Sequence, residues 1–316
     1  MNLQTTKQRK TSTPKISPHL WYDKNTALQA AKFYVSVFGG DSAIHGNTDL
    51  IDTPSGEVNM VDFTLLGQNF SAISAGPEFK FNPSVSFMVN FDPSTDPAAD
   101  TKIKSVWEKL SDGGTMRMPL QEYPFSKCYG WVADKYGLDW QLILTNPDGD
   151  PRPAIIPSLM FAADNFGNAA AATAFYRSVF KTGQNGIQVP YGAEQGADLK
   201  GKVMFSDFKL NNLWFTAMDG PGQPFKFNEA ISFMISCESQ SEIDYYWEKL
   251  SAHPEAEQCG WCKDKFGLSW QIVPTTLSEM LQGSAEQVQR VTQTFLKMKK
   301  FDIAELQRAY DGHFKK

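Results

Sequence analysis

The residues in this chain best suited to redox, metal or nucleophilic chemistry are four cysteines and four histidines. Cys259 and Cys262 form a C-x-x-C pair. Redox work by such a pair needs a helix start, where a thiolate is stabilised. The surrounding residues read as a strand, on which positions three apart are separated by about 10 Å and point to opposite faces. That exceeds the ~7 Å Cα limit for a disulfide. A zinc site would need a second pair, which Cys128 and Cys237 do not supply. His45, His253 and His313 stand at no ligand spacing with an acid, and His19 lies on a strand whose register the sequence does not fix. The pairs Trp131/Trp140 and Trp261/Trp270 each flank a tight turn. They read as packing across a hairpin or as the aromatic wall of a ligand cavity. Asp134 and Asp264 sit at those turns, where an Asp organises the backbone. Asp62 and Asp207, at matching positions, are candidate acids facing a cavity.

The elements that must position these residues come in duplicate. Phe33-Tyr34-Val35-Ser36-Val37-Phe38 returns as Phe175-Tyr176-Arg177-Ser178-Val179-Phe180. Phe79-Lys80-Phe81-Asn82 returns as Phe225-Lys226-Phe227-Asn228, and Trp107-Glu108-Lys109-Leu110-Ser111 as Trp247-Glu248-Lys249-Leu250-Ser251. Gly130-Trp131 through Trp140-Gln141 returns as Gly260-Trp261 through Trp270-Gln271. The offset drifts only between 146 and 130, which implies loops of changed length.

Within one copy, a strand over 19–22 precedes a helix over 26–38, with apolar residues at helical spacing and a stop at Gly39-Gly40. Strands follow over 42–48, 58–66 and 70–75. The order then restarts with a strand over 84–91, a helix over 101–111 and strands over 115–122, 129–134 and 139–144. Each copy is thus two βαβββ modules, four in the chain. The expected divisions are a disordered leader (1–13), a first domain (14–146), a proline-rich linker (147–153), a second domain (154–276) and a helical extension (277–316). In that extension 285–299 is amphipathic, and Asp302 can cap a last helix with Glu305 three residues on. A helical tail docked on a sheet is the expectation.

Composition is that of a globular protein, with 41% hydrophobic and 21% charged residues and a formal charge of −5. An acidic chain lacks the basic stripe of a nucleic-acid groove. No apolar run approaches the roughly 20 residues that span a bilayer, and no apolar segment follows the basic leader. Four cysteines that suggest no disulfide framework fit a cytoplasmic location. No G-x-S-x-G, P-loop or H-E-x-x-H motif is present.

Paired βαβββ modules with a helix ending Phe-Tyr-x-x-x-Phe resemble the vicinal oxygen chelate superfamily, the fold of glyoxalase I, bleomycin-resistance proteins and extradiol dioxygenases. Leu20-Trp21-Tyr22-Asp23, Phe225-Lys226-Phe227-Asn228, Cys259-Gly260-Trp261 through Pro274, and Met298-Lys299-Lys300-Phe301-Asp302-Ile303 resemble its PhnB-like branch, which carries the legacy label 3-demethylubiquinone-9 3-methyltransferase. The resemblance covers nearly all of residues 16–312, and the second copy matches more closely. It implies an α+β fold in which each copy forms a half-open barrel of eight strands around a cavity. Two such barrels form a pseudo-dimer within one chain, and a homodimer of the whole chain stays open. In enzymes of the superfamily the cavity holds a divalent metal bound by His and Glu.

The resemblance places one such Glu four residues after the turn glycine. Here those positions are Gln141 and Gln271, and a neutral amide is a poor ligand for a hard cation. The fifth strands, which commonly begin with a ligand His, have none. His19 is the one imidazole near a ligand position, and its counterpart is Ser158. No metal and no cofactor are therefore expected, and no strand–helix junction carries the G-x-G of an adenosyl-donor site. The candidate cavity residues are His19, Trp21, Asp62, Trp131, Trp140, Gln141, Asp207, Trp261, Trp270 and Gln271. The expected function is binding of a small, partly apolar molecule in metal-free barrels. Two alternatives remain: a metal-dependent lyase, isomerase or dioxygenase, and a structural or interaction protein with filled barrels.

Overall fold

Alternation along each strand sets which residues meet the helices and which do not. In the computed structural model, which describes residues 15–23, 25–146, 148–211 and 213–313, β1 (Ile16–Tyr22) sends Leu20 and Tyr22 into the main core and His19 and Trp21 to the other face. The leader expected over 1–13 lies outside the described residues. The first module continues with α1 (Ala27–Phe38), β2 (Ala43–Thr53), β3 (Gly56–Leu65) and β4 (Gln68–Ser74), and the second is β5 (Val85–Phe91), α2 (Ala99–Ser111), β6 (Thr115–Tyr123), β7 (Ser126–Ala133) and β8 (Asp139–Leu144). The second copy opens with β9 (Ile155–Phe161), α3 (Ala169–Val179), β10 (Gln184–Pro190), β11 (Val203–Leu210) and β12 (Leu213–Asp219). It closes with β13 (Ile231–Cys237), α4 (Gln240–Leu250), β14 (Trp261–Lys263) and β15 (Ser269–Pro274), before the extension α5 (Thr276–Met280), α6 (Ala285–Phe295) and α7 (Ile303–Asp311). The fold is α+β, as the repeated pattern implies.

The fourth module departs from βαβββ. Between α4 and β14 the chain makes a short 3-10 turn, Pro254–Ala256, where the first copy has β6. The sequence is shorter here, and a proline cannot donate to a strand ladder. The narrowed offset between copies is the mark of this lost strand.

One barrel per copy is also corrected. The eight-stranded sheet runs β10-β11-β12-β9-β5-β8-β7-β6, and the seven-stranded sheet β14-β15-β13-β1-β4-β3-β2. Each sheet joins the first module of one copy to the second module of the other, through antiparallel pairs β1–β13 and β9–β5. The repeat makes those partner edges alike, so strand pattern cannot choose between pairing within a copy and across copies. The connectors choose. The two Phe-Lys-Phe-Asn runs cross, Asn82 Nδ2 donating to Lys226 O at 3.0 Å and Asn228 Nδ2 to Lys80 O at 2.8 Å.

The helix faces meet in one continuous core. Tyr34, Phe38 and Phe87 surround Trp140 in one sheet, while Tyr176, Phe180 and Phe233 surround Trp270 in the other. The extension docks on the opposite face of the seven-stranded sheet, away from α1–α4. There Val288 and Phe295 of α6, with Leu281, pack on Leu50, Val58, Ile73, Trp21 and Met60. Ser284 caps α6 through a reciprocal bond with Gln287, and Asp302 caps α7 by accepting from Glu305 N.

Candidate functional site

Two matching rows of polar side chains cross the sheet faces turned away from α1–α4. In the seven-stranded sheet, register places Asp62 beside Ser71, Ser71 beside His19 and His19 beside Ser232. Gln271 Nε2 donates to Ser232 Oγ at 2.8 Å. In the eight-stranded sheet the same row is Asp207, Thr216, Ser158 and Ser86. There Gln141 Nε2 donates to Ser86 Oγ at 2.8 Å and to Ser158 Oγ at 3.3 Å.

The first row is closed. His19 is 2% exposed and meets Trp261 edge-on at 5.6 Å, with Trp21 beyond it at 6.4 Å from the same ring. Trp21 Nε1 donates to Gly76 O. His19 Nδ1 is buried with no partner among the described residues. Burial pushes the pKa of this imidazole down to about 3, so it is neutral. Asp62 is exposed and accepts from Ser71 Oγ at 2.5 Å.

The second row has aromatic neighbours that reach solvent. Gln141 Oε1 accepts from Tyr129 OH at 2.7 Å. The Tyr129 ring lies edge-on to Tyr123 and Phe125, which stack on each other, and Phe125 is 62% exposed. At the other end Asp207 pairs with Arg152 Nε at 2.7 Å, and the guanidinium lies 4.1 Å over Trp214. Trp131 Nε1 donates to Asp139, which also pairs with Arg117. Thr216 Oγ1 has no partner among the described residues. Sequence reasoning missed Tyr123, Phe125, Tyr129, Arg152, Thr216 and the serines. Aligning the copies on Phe79 and Phe225 would have matched Ser86 to Ser232; nothing in the linker marks Arg152.

Trp140 and Trp270 do not join either row. Trp131 pairs in register with Gln141 and Val132 with Trp140, so Trp131 and Trp140 point to opposite faces. Trp261 and Trp270 divide in the same way. They neither pack across a hairpin nor share a cavity wall. Instead Trp140 and Trp270 donate to Asp134 and Asp264 at 2.8 Å. Each Asp also takes the N–H groups of its turn, from Tyr136 and Leu138 or from Phe266 and Leu268. Burial raises both carboxyls to about 6. These acids organise turns. All four cysteines are free and buried, and burial pushes the Cys237 and Cys262 thiols upward.

Two cavities lie away from the glutamines, and only the smaller touches a row, at Asp207. One of about 1000 Å³ runs between α3 and α4, lined by Lys15, Lys181, Glu242 and Tyr245 among others. One of about 210 Å³ lies between α3 and the β10–β11 edge. Neither is lined by Gln141 or Gln271.

The donor sets do not fit the superfamily's divalent metal. The Gln141 amide is engaged at both ends, and the remaining groups beside it are hydroxyls. His19 has two serines and an amide around it, where a hard cation wants carboxylates. Among the described residues no three His, Cys, Asp or Glu side chains converge. An adenosyl donor fits no better. At the start of α3 the Gly167 and Ala169 N–H groups already bond to Asp219, and at α1 the Ala27 N–H bonds to Ser74. Among the described residues no helix is long and apolar enough to cross a membrane.

No curated protein matches the sequence. Among solved structures, the PhnB protein from Bacillus cereus is 34% identical over 42% of this chain and 100% of its own, with a TM-score of 0.37. Glyoxalase I from Zea mays is 12% identical over 84% of this chain and 96% of its own, with a TM-score of 0.50, and shares the fold. The family described as 3-demethylubiquinone-9 3-methyltransferase matches twice, over residues 14–143 and 153–273. The chain therefore belongs to that PhnB-like family of the vicinal oxygen chelate fold, in tandem copy.

Proposed function

We propose that this protein binds a small, partly apolar molecule on the helix-free face of its eight-stranded sheet, without a metal ion. The row of hydroxyls at Ser86, Ser158 and Thr216 carries this reading. Gln141 donates to both serines, and among the described residues their O–H groups are free to donate and Thr216 Oγ1 is buried without a partner. Three adjacent donors suit a carbonyl or similar acceptor on a ligand. Buried polar groups are ordinarily paired, so a partner is wanted here. Tyr123, Phe125 and Tyr129 supply a stacking surface for the apolar part.

The seven-stranded sheet supports a different reading. Its face is packed by α6, so this half is the filled, structural one of the pair.

Fluorescence titration with 8-anilinonaphthalene-1-sulfonate tests the proposal, alongside elemental analysis after dialysis. Saturable dye binding is expected, weakened by Phe125→Ala and Thr216→Val and unchanged by Val288→Ala. A stoichiometric divalent metal that survives dialysis, or dye binding indifferent to both face substitutions, overturns the proposal.

A further inference from the structure

The cavity of about 210 Å³ between α3 and the β10–β11 edge touches the second polar row only at its outermost member, Asp207. Thr173, Arg177, Asn185, Gln188, Ser206 and Asp207 line it. Thr173 and Arg177 are one helical turn apart, so both side chains leave α3 on one face. Thr173 is 9% exposed, and its Oγ1 has no hydrogen-bond partner among the described residues. Among the described residues Arg177 Nε is also buried without a partner, and no carboxylate pairs with this guanidinium. Asp207 is already matched, by Arg152 Nε and by the Ile187 N–H.

The backbone is shaped around the arginine. A Cβ at Gly183 would stand 2.7 Å from Arg177 Cγ, so a side chain there would displace it. The β10–β11 ladder shifts register between Asn185 and Gln188, opening the edge beside the cavity.

The first copy is an internal control. Ala31 and Val35 stand where Thr173 and Arg177 do, and Val35 and Ile44 pack against the core there. One copy plugs with methyl groups a place that the other lines with donors.

We propose that this cavity binds a small oxyanion, a carboxylate or a phosphate, held by the Arg177 guanidinium and the Thr173 hydroxyl. A guanidinium presents a planar fork that matches two oxygens of either anion. Asn185 and Gln188 can donate from the strand side. Both chemistries share the same contacts, so the test separates them.

Isothermal titration of the whole protein with inorganic phosphate, and separately with acetate, reads the site. One saturable equivalent is expected for at least one of the two, and the one that binds names the class. Arg177→Gln is expected to weaken it about tenfold or more, since a charged hydrogen bond is lost. Arg177→Lys retains part of the affinity. Thr173→Val, close in shape to the native residue, keeps the test readable if Arg177→Gln unfolds the protein, and it is expected to weaken binding severalfold. Absence of saturable binding for both anions, or binding equal in wild type and Thr173→Val, overturns the assignment.

Discussion

The backbone N–H of Cys259 donates to the carbonyl of Met298 at 2.8 Å, and the neighbouring Gly260 N–H donates to Lys299 O at 2.7 Å. These bonds, with Gln258 Nε2 to Leu296 O, put the segment after α6 where the fourth module has lost its edge strand. An exposed strand edge is a liability, and here the tail covers it.

Gly260→Ala is expected to destabilise the protein by about 2 kcal/mol or more. Its φ is +84°, and a Cβ would stand 2.5 Å from Phe301 Cε2 and 3.0 Å from Ile272 O. Phe301→Ala, which empties the other side of the same contact, is expected to cost about 3–5 kcal/mol. Because the residues touch, the double variant should lose less than the two single losses together. Urea unfolding measures all three, and additivity would show that the contact does not couple them.

The pH dependence of stability comes from opposed groups. Burial holds the folded pKa of His19 at about 3 against an ordinary value of 6.5. The unfolded chain therefore takes up this proton first. Its contribution is intact above pH 6.5 and is lost as pH falls toward 3, by about 2 kcal/mol on reaching pH 5. Asp134 and Asp264 are raised from 3.8 to about 6, so the folded chain holds their protons more tightly. Their contribution is full below pH 3.8 and is lost as pH rises through 6. The two slopes nearly cancel between pH 5 and 6.5. His19→Leu should unmask the carboxylates, so that the variant gains stability on acidification from 6.5 to 5 relative to wild type. Denaturant titrations at both pH values check this, and parallel profiles would contradict a buried neutral His19.

Gln141 and Gln271 should differ in cost when removed. Gln141→Leu strips a partner from Tyr129, Ser86 and Ser158 together, whereas Gln271→Leu strips one from Ser232. Each buried group left unpaired costs roughly 1–3 kcal/mol. The first substitution is therefore expected to cost more, by about 2 kcal/mol. Adding Tyr129→Phe to Gln141→Leu should recover part of the loss. Equal thermal stabilities of the two single variants would count against the shared network.

Much of the fold was legible because its signals are local. Repeated blocks gave the copies, helical spacing gave α1 and α2, and the Asp302 cap gave the start of α7. The crossing of modules was not legible, because β5 and β13 offer alike edges to β1 and only the connectors tell them apart. The missing strand left a trace in the offset, which is 140 at Trp107/Trp247 and 130 at Gly130/Gly260; a loop change reads the same way. At the site, Gln141 with Gln271 and Asp62 with Asp207 are legible because their positions repeat, whereas His19, matched by Ser158, is legible only as an imidazole near a ligand position of the resembled family. Trp140 and Trp270 were misplaced, because a shift of one residue sends a strand side chain to the other face. Arg152 and Arg177 break the repeat, and a comparison of copies built on likeness passes over them.

The crossing of the modules also orders events on the ribosome. Lys15, at the start of β1, donates from Nζ to Ser236 O across 221 positions of sequence. While the chain is being made, the first module must wait beside a bare strand edge until the last module emerges. The second and third modules are neighbours in sequence and can complete the eight-stranded sheet first. The inner pair can thus be completed before the outer one, whose two halves lie farther apart in sequence.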